Sequence, residues 1–216
     1  MKTVLLTTLD KPFDQKLAAI FVREGYSVFA MGKKAQSKVN LLPVEPGKAA
    51  AFLKDRVRKL DYFLDTTDYR DPKDCFTMEE VDPKIIEKVY RNNTLRSMAL
   101  LEAFIDLLEA GDGRRLFWLS SAEASINETR GTSNIGYNMS KAALHQFIMI
   151  TKNVLFNKRY TFRVFDPLNG LMSPEDAAES AYNYITRRRG TENHEKTRDD
   201  EDNMVMRDAL GRQHSW

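Results

Sequence analysis

Short apolar runs recur along this chain, and most are separated by stretches with helical spacing. That alternation restricts the fold more than any other feature. "TVLLTT" (3–8) and "YSVFAMG" (26–32) are apolar enough to predict buried strands, and "DYFLDTT" (61–67), "RLFWLSS" (115–121) and "YTFRVFDP" (160–167) also read as strands. The last should stop at Pro167, which cannot donate to a ladder. Between the first two lies "FDQKLAAIFVREG", where Leu17, Ile20 and Phe21 share one helical face and Gly25 is a natural stop. "GKAAAFLKDRVRKL" (47–60) is predicted helical, and "VNLLPVE" (39–45) before it reads as a further strand. Strand, helix, strand in succession implies right-handed crossovers and a mainly parallel sheet.

A polar connection, 68–82, contains Pro72. A long helix is predicted over about 83–109, with Met98, Leu101, Ile105 and Leu108 as its apolar stripe. Another is predicted over about 137–157, carrying Leu144, Phe147, Ile148, Thr151 and Leu155. "SPEDAAESAYNYITRR" (173–188) opens with Ser173 as cap and Pro174 in the first turn, with acids early and arginines late. "NMVMRD" (203–208) reads as a final strand and "ALGRQHSW" as a turn and tail. The polar segment near 189–202 reads as mobile, and its charge runs as solvated. No internal repeat or linker divides the chain. The fold class expected is α/β: a Rossmann-like doubly wound parallel sheet, three-layer α/β/α, in a single domain spanning 1–216.

Composition removes several classes of function. Lys and Arg number 33 against 31 Asp and Glu, a net charge of +2, which gives no electrostatic case for nucleic acid or an anionic membrane. One cysteine, Cys75, permits no intrachain disulfide and suits a reducing compartment. The apolar run at the N-terminus is short for a signal peptide, and no stretch approaches the ~20 residues of a membrane span. A cytoplasmic protein is the expectation.

Chemistry is concentrated in "GYNMSKAALHQF" (136–147), where Tyr137 precedes Lys141 by one helical turn. Alone, that spacing also describes a solvated pair on a helix face. Its context is more informative. The pair opens a helix that follows a strand ending in Ser120 and Ser121 and a loop of small residues, and Asn93 sits inside another long helix. "LSSAEASINETRGTSNIGYNMSKAALHQF" resembles the active-site segment of the short-chain dehydrogenase/reductase family. "VYRNNTLRSMALLEAF" is similar to its asparagine helix, and "FRVFDPLNG" to its strand ending in a Pro-Gly segment.

The resemblance implies an oxidoreductase acting on a carbonyl or alcohol with NADP(H). Tyr137 would be the general acid/base, and Lys141 would lower its pKa and hold the nicotinamide ribose. Ser121 would bond the substrate oxygen, with Ser125 as second choice, and Asn93 would hold a water linked to Lys141. Thr7, Lys33, Lys141 and Pro167 would contact the cofactor. Lys33 and Lys34 follow the second strand, where NADP-preferring members place a base.

Three departures stand against this. The family's Thr-Gly-x-x-x-Gly-x-Gly turn is here "TTLDKPFD", so Thr8, Pro12 and Asp14 replace the glycines. Those glycines permit tight turning and close approach to a pyrophosphate. Asp14 instead puts a carboxylate in the first helical turn, where it could replace the phosphate. The family's Asn-Asn-Ala-Gly is here "DTTD", and Asp65 or Asp68 would repel a diphosphate. Finally, "PLNGLM" runs directly into the next helix with no room for a lid.

The alternative is therefore a cofactor-deficient binding or scaffold subunit, associating as a homo-oligomer or with a related chain through the helices near 83–109 and 137–157. A cofactor-independent proton transfer is a variant of it. No substrate is identified. His145 has no partner at metal-ligand spacing, His194 and His214 lie in polar sequence expected to be mobile, Trp118 reads as core, and Trp216 is terminal.

Overall fold

The computed structural model describes residues 1–75, 81–187 and 204–215. Its strands are β1 (Thr3–Leu6), β2 (Ser27–Met31), β3 (Val39–Leu42), β4 (Tyr62–Asp65), β5 (Arg115–Leu119), β6 (Thr161–Asp166), β7 (Met206–Asp208) and β8 (Gln213–His214). They form one sheet in the order β3-β2-β1-β4-β5-β6-β7-β8. Every pairing is parallel except β7 with β8. The chain thus winds outward from β1 in one direction and then, from β4, in the other. This leaves a crevice beyond the carboxyl ends of β1 and β4, where ligands of such sheets bind.

The helices are α1 (Pro12–Arg23), α2 (Pro46–Lys54), α3 (Pro83–Tyr90), α4 (Arg96–Glu109), α5 (Ile135–Leu155) and α6 (Pro174–Thr186). Alternate residues of each strand point to opposite faces, which divides the core. Leu5, Phe63, Leu116 and Trp118 pack with Leu53, Phe104, Leu144 and Ile148 on one side. Val4, Leu6, Leu64, Phe117 and Phe165 pack with Phe13, Leu17, Phe21 and Ile185 on the other. The result is the three-layer arrangement expected, and Trp118 is fully buried in it.

Some boundaries differ from the sequence reading. The second helix ends at Lys54, where Arg56 and Val57 turn back to the Leu53 carbonyl before β4 begins. The long helix over 83–109 is continuous, but a five-residue π segment, Arg91–Leu95, separates α3 from α4. His214 belongs to β8 rather than to a loose tail. The segment 189–202, His194 and Trp216 lie outside the described residues, as does the start of the strand expected over 203–208.

Candidate functional site

The crevice begins at the turn between β1 and α1. Thr7 extends the β1 ladder by donating its N–H to the Leu64 carbonyl, and its hydroxyl donates to Asp65 Oδ1 at 2.7 Å. Pro12 stands at the first position of α1, where no N–H is needed. Asp14, two residues on, is wholly buried. Its Oδ2 accepts from the Lys11 N–H (3.1 Å) and from Thr8 Oγ1 (2.9 Å). Burial pushes the Asp14 carboxyl up to about 6, against the opposing pull of the Lys11 N–H and the Thr8 hydroxyl. Thr66 is near enough to add to that pull, although neither Asp14 Oδ1 nor Thr66 Oγ1 has a partner of good hydrogen-bond geometry. A protein carboxylate therefore occupies the anion position at the start of α1.

The opposite wall is the segment after β4. Lys11 Nζ donates to the Asp68 carbonyl and, at 2.9 Å, to Asp68 Oδ2, tying the turn to this wall. Asp68 Oδ1 accepts from the Tyr137 hydroxyl at 2.7 Å and lies 3.8 Å from Lys141 Nζ. Lys141 Nζ donates to the carbonyls of Thr67 (2.7 Å) and Leu119 (2.9 Å), which pins α5 to the ends of β4 and β5.

Electrostatics follow from burial. Burial alone would raise the Asp68 carboxyl, but the charges of Lys141 and Lys11, with hydrogen bonds from Lys11 and Tyr137, hold it well below the usual carboxylate range. Tyr137 is pushed well above its ordinary value, first by burial and then by the Asp68 charge. Lys141 is pushed down by burial, with Asp68 and Asp65 pulling the other way. The phenol is thus a firm proton donor to a carboxylate, the reverse of an activated base.

α5 starts where it does because of a distant aspartate. Asp74 accepts from the Gly136 and Tyr137 N–H groups at 2.9 and 2.7 Å, satisfying the helix N-terminus. Gly136 is required there, since a Cβ would come within 3.1 Å of both Asp74 Oδ1 and Ile86 Cα. Over Tyr137 lies Arg70, its guanidinium 3.6 Å from the ring centre and paired with Glu123.

Asn93 lies in the π segment, a feature frequent at functional sites. Its Oδ1 accepts from Tyr69 N–H (2.8 Å), and its Nδ2 donates to the Tyr69 carbonyl and to Ser140 Oγ, both at 2.9 Å. Ser121 Oγ accepts from the Glu123 N–H, and Ser125 Oγ from the Glu128 N–H. Pro167 is buried just past β6. Lys33 lines a cleft of about 300 Å³ together with Thr7, Thr8, Lys11, Thr66 and Arg96. Lys34 lines a different one, beside Gln15 and Lys16. His145 is buried against Ser120 (2.6 Å) and pushed down to about 3 by burial and Lys141, so it is a neutral imidazole. Among the described residues no group of His, Cys, Asp or Glu could hold a metal ion, and no helix is long and apolar enough to cross a membrane.

The residues at the turn do not fit a dinucleotide diphosphate. Asp14 fills the helix end, Thr8 carries a side chain where backbone should approach, and the Lys11–Asp68 link joins the two walls. Sequence reasoning flagged Asp14 and Asp68 as obstacles. It missed Lys11, Arg70 and Asp74, whose contacts span 57 to 67 residues or are made through a ring face. For Arg70 and Asp74 the sequence signal was the density of charge in 65–74; for Lys11 there was none.

No protein-family model matches the chain, and no curated protein matches it. Solved structures do. The carbonyl reductase Sniffer of D. melanogaster superposes with a TM-score of 0.84 at 13% identity, covering 100% of both chains. A carbonyl reductase from Pseudomonas aeruginosa PAO1 in complex with NADP gives 0.77 at 16%, and an NADPH-bound carbonyl reductase from chicken fatty liver gives 0.76 at 14%, each again covering 100% of both chains. Over its full length the chain has the fold of these carbonyl reductases.

Proposed function

We propose that this chain is a divergent member of the short-chain dehydrogenase/reductase family that has given up hydride transfer and serves as a binding or scaffold subunit. One observation carries the reading: the buried Asp14 carboxylate sits at the start of α1, the helix end at which a dinucleotide phosphate would have to bind. An anion fixed there repels a second one and already takes the Lys11 N–H and the Thr8 hydroxyl. The apolar side chains Leu95, Met139, Ile150 and Val154, exposed on the helices of the 83–109 and 135–155 regions, supply a face for a related chain or a second copy.

A second reading is favoured by the convergence of Tyr137 and Lys141 at the carboxyl ends of β4 and β5, with Lys33 in the adjoining cleft. On that reading the chain is an oxidoreductase for a carbonyl or alcohol, uses NADP(H), and employs Tyr137 as general acid/base with Ser121, Lys141 and Asn93 around it. Thermal unfolding with millimolar NADPH or NADH separates the two. A ligand at 100 times its Kd stabilises the fold by ~2.7 kcal/mol. No shift is expected with either nucleotide. A clear shift, with turnover that Tyr137→Phe abolishes, would establish the oxidoreductase instead. Restoring glycine together at 8, 12 and 14 should create a shift if the turn alone was lost.

A further inference from the structure

We propose that the Tyr137–Lys141 end of the crevice is a binding site for a small carboxylate, occupied in cis by the side chain of Asp68. The proposal deepens the preceding reading by naming the chemistry of this end of the crevice. Its test uses no dinucleotide, so the two fail separately.

Three donors and a buried ammonium converge on that one carboxylate. Tyr137 Oη is 2.7 Å from Oδ1 and Lys141 Nζ 3.8 Å from it. Lys11 Nζ is 2.9 Å from Oδ2, and Asn169 Nδ2 approaches the same oxygen at 3.5 Å. The Arg70 guanidinium lies against the Tyr137 ring at 3.6 Å. The anions facing the same space are Asp65, which accepts from Thr7 and from the Thr67 N–H, and Glu123, which pairs with Arg70.

Removing Asp68 takes from Lys141 its nearest counter-charge and leaves it Asp65, while Lys11 keeps the field of Asp14 and Arg70 keeps Glu123. Lys141 is fully buried, so bulk water cannot replace what it loses. A carboxylate fits this donor set better than a neutral group, because ammonium and phenol donors both gain from a charged acceptor. The size follows from the plug itself: Asp68→Ala removes one carboxylate group, the volume of formate. A tethered side chain has a far higher effective concentration than any free solute, so the native chain is closed to such ligands.

The experiment is chemical rescue. Asp68→Ala is titrated with sodium formate, sodium chloride and neutral formamide at neutral pH, and thermal unfolding is followed. Formate should raise the midpoint saturably, by about 5 to 10 °C near 100 times its Kd. Chloride and formamide should not, the native chain should not respond, and Lys141→Met in the same background should remove the effect. Should Asp68→Ala not fold in buffer alone, the readout becomes recovery of a cooperative transition with formate but not chloride. A folded variant indifferent to formate, an equal response to formate and chloride, or an unfolded variant that formate does not restore would each overturn the proposal.

Discussion

Two buried aspartates close the two ends of one crevice, and their surroundings move them in opposite directions. Asp14 meets a backbone N–H and a hydroxyl, and burial prevails, lifting it to about 6. Asp68 meets two lysines and a phenol, and the charges prevail, holding it ionised far into acid. Burial is severe at both, so depth does not set the sign. What differs is whether the groups that hydrogen-bond the carboxylate carry charge, the Lys11 ammonium acting on Asp14 only as its weakest pull. Uncharged donors orient a carboxylate without offsetting the loss of water around it, whereas two ammonium groups offset that loss.

The strongest way to break this contrast is to take a cation from Asp68. Lys141→Met keeps the length of the side chain and removes the charge. It leaves Asp68 with Lys11 as its one ion-pair partner among the described residues and strips donors from the Thr67 and Leu119 carbonyls. Breaking a buried pair from one side costs about 3–5 kcal/mol. Urea unfolding at neutral pH should show a loss of that order. A loss under about 1 kcal/mol would mean that Lys11 suffices and that the ends differ less than the structure indicates.

The same contrast shows what could be read in the residues before any coordinates. The doubly wound sheet was legible because five apolar runs and their intervening helices each obey a local periodicity. Tyr137 and Lys141 were legible because they are one turn apart. Asp14 was legible as an anion in a first helical turn. The destination of Asp68 was not: its contact with Tyr137 spans 69 residues, and no local pattern encodes such a distance. The cap that Asp74 gives α5 spans 62 and 63 residues and escaped for the same reason. Strand β8, two residues long, carries too little period to register, so His214 was expected in a loose tail. The π segment around Asn93 was equally invisible, because a single π-turn of five residues is too short to reveal a changed period.

Asp14→Asn sharpens the comparison from the other end. The amide keeps an acceptor for the Lys11 N–H and removes the group that burial disfavours when charged. A carboxyl at about 6 when folded and 3.8 when unfolded contributes stability that is fully present below pH 3.8 and is lost as the pH rises through 6. Relative to the Asn variant, the native protein should therefore lose up to about 3 kcal/mol between pH 3.8 and 7. Parallel urea midpoints for the two proteins across that range would show that Asp14 is not buried against uncharged partners in the way described. At Asp68 the same experiment has the opposite sign, since a depressed carboxyl stabilises at neutral pH and that stability is lost only on acidification.

The smallest effect belongs to a titrating group whose partners are charged but whose site is only partly covered. His214 Nδ1 lies 2.7 Å from Glu128 and Nε2 3.0 Å from Asp208, so β8 is fastened both to β7 and to the loop that follows Ser125. Burial works against the imidazolium, but hydrogen bonds and attraction from both carboxylates outweigh it and raise the pKa above 6.5. Arg212, bound to the same Asp208, and Asp166 on β6 share this field. A raised histidine contributes stability that is complete below pH 6.5 and fades as the pH climbs through its folded value. Partial exposure keeps the amount under about 1 kcal/mol. Removing the charge with His214→Gln should make the urea midpoint flatter with pH above 6.5, without changing its value at pH 9. If the variant is instead weaker by the same margin at pH 6 and pH 9, packing and not charge joins these strands. The rule drawn from Asp14 and Asp68, that partner charge decides the sign, would then not extend to the open edge of the sheet.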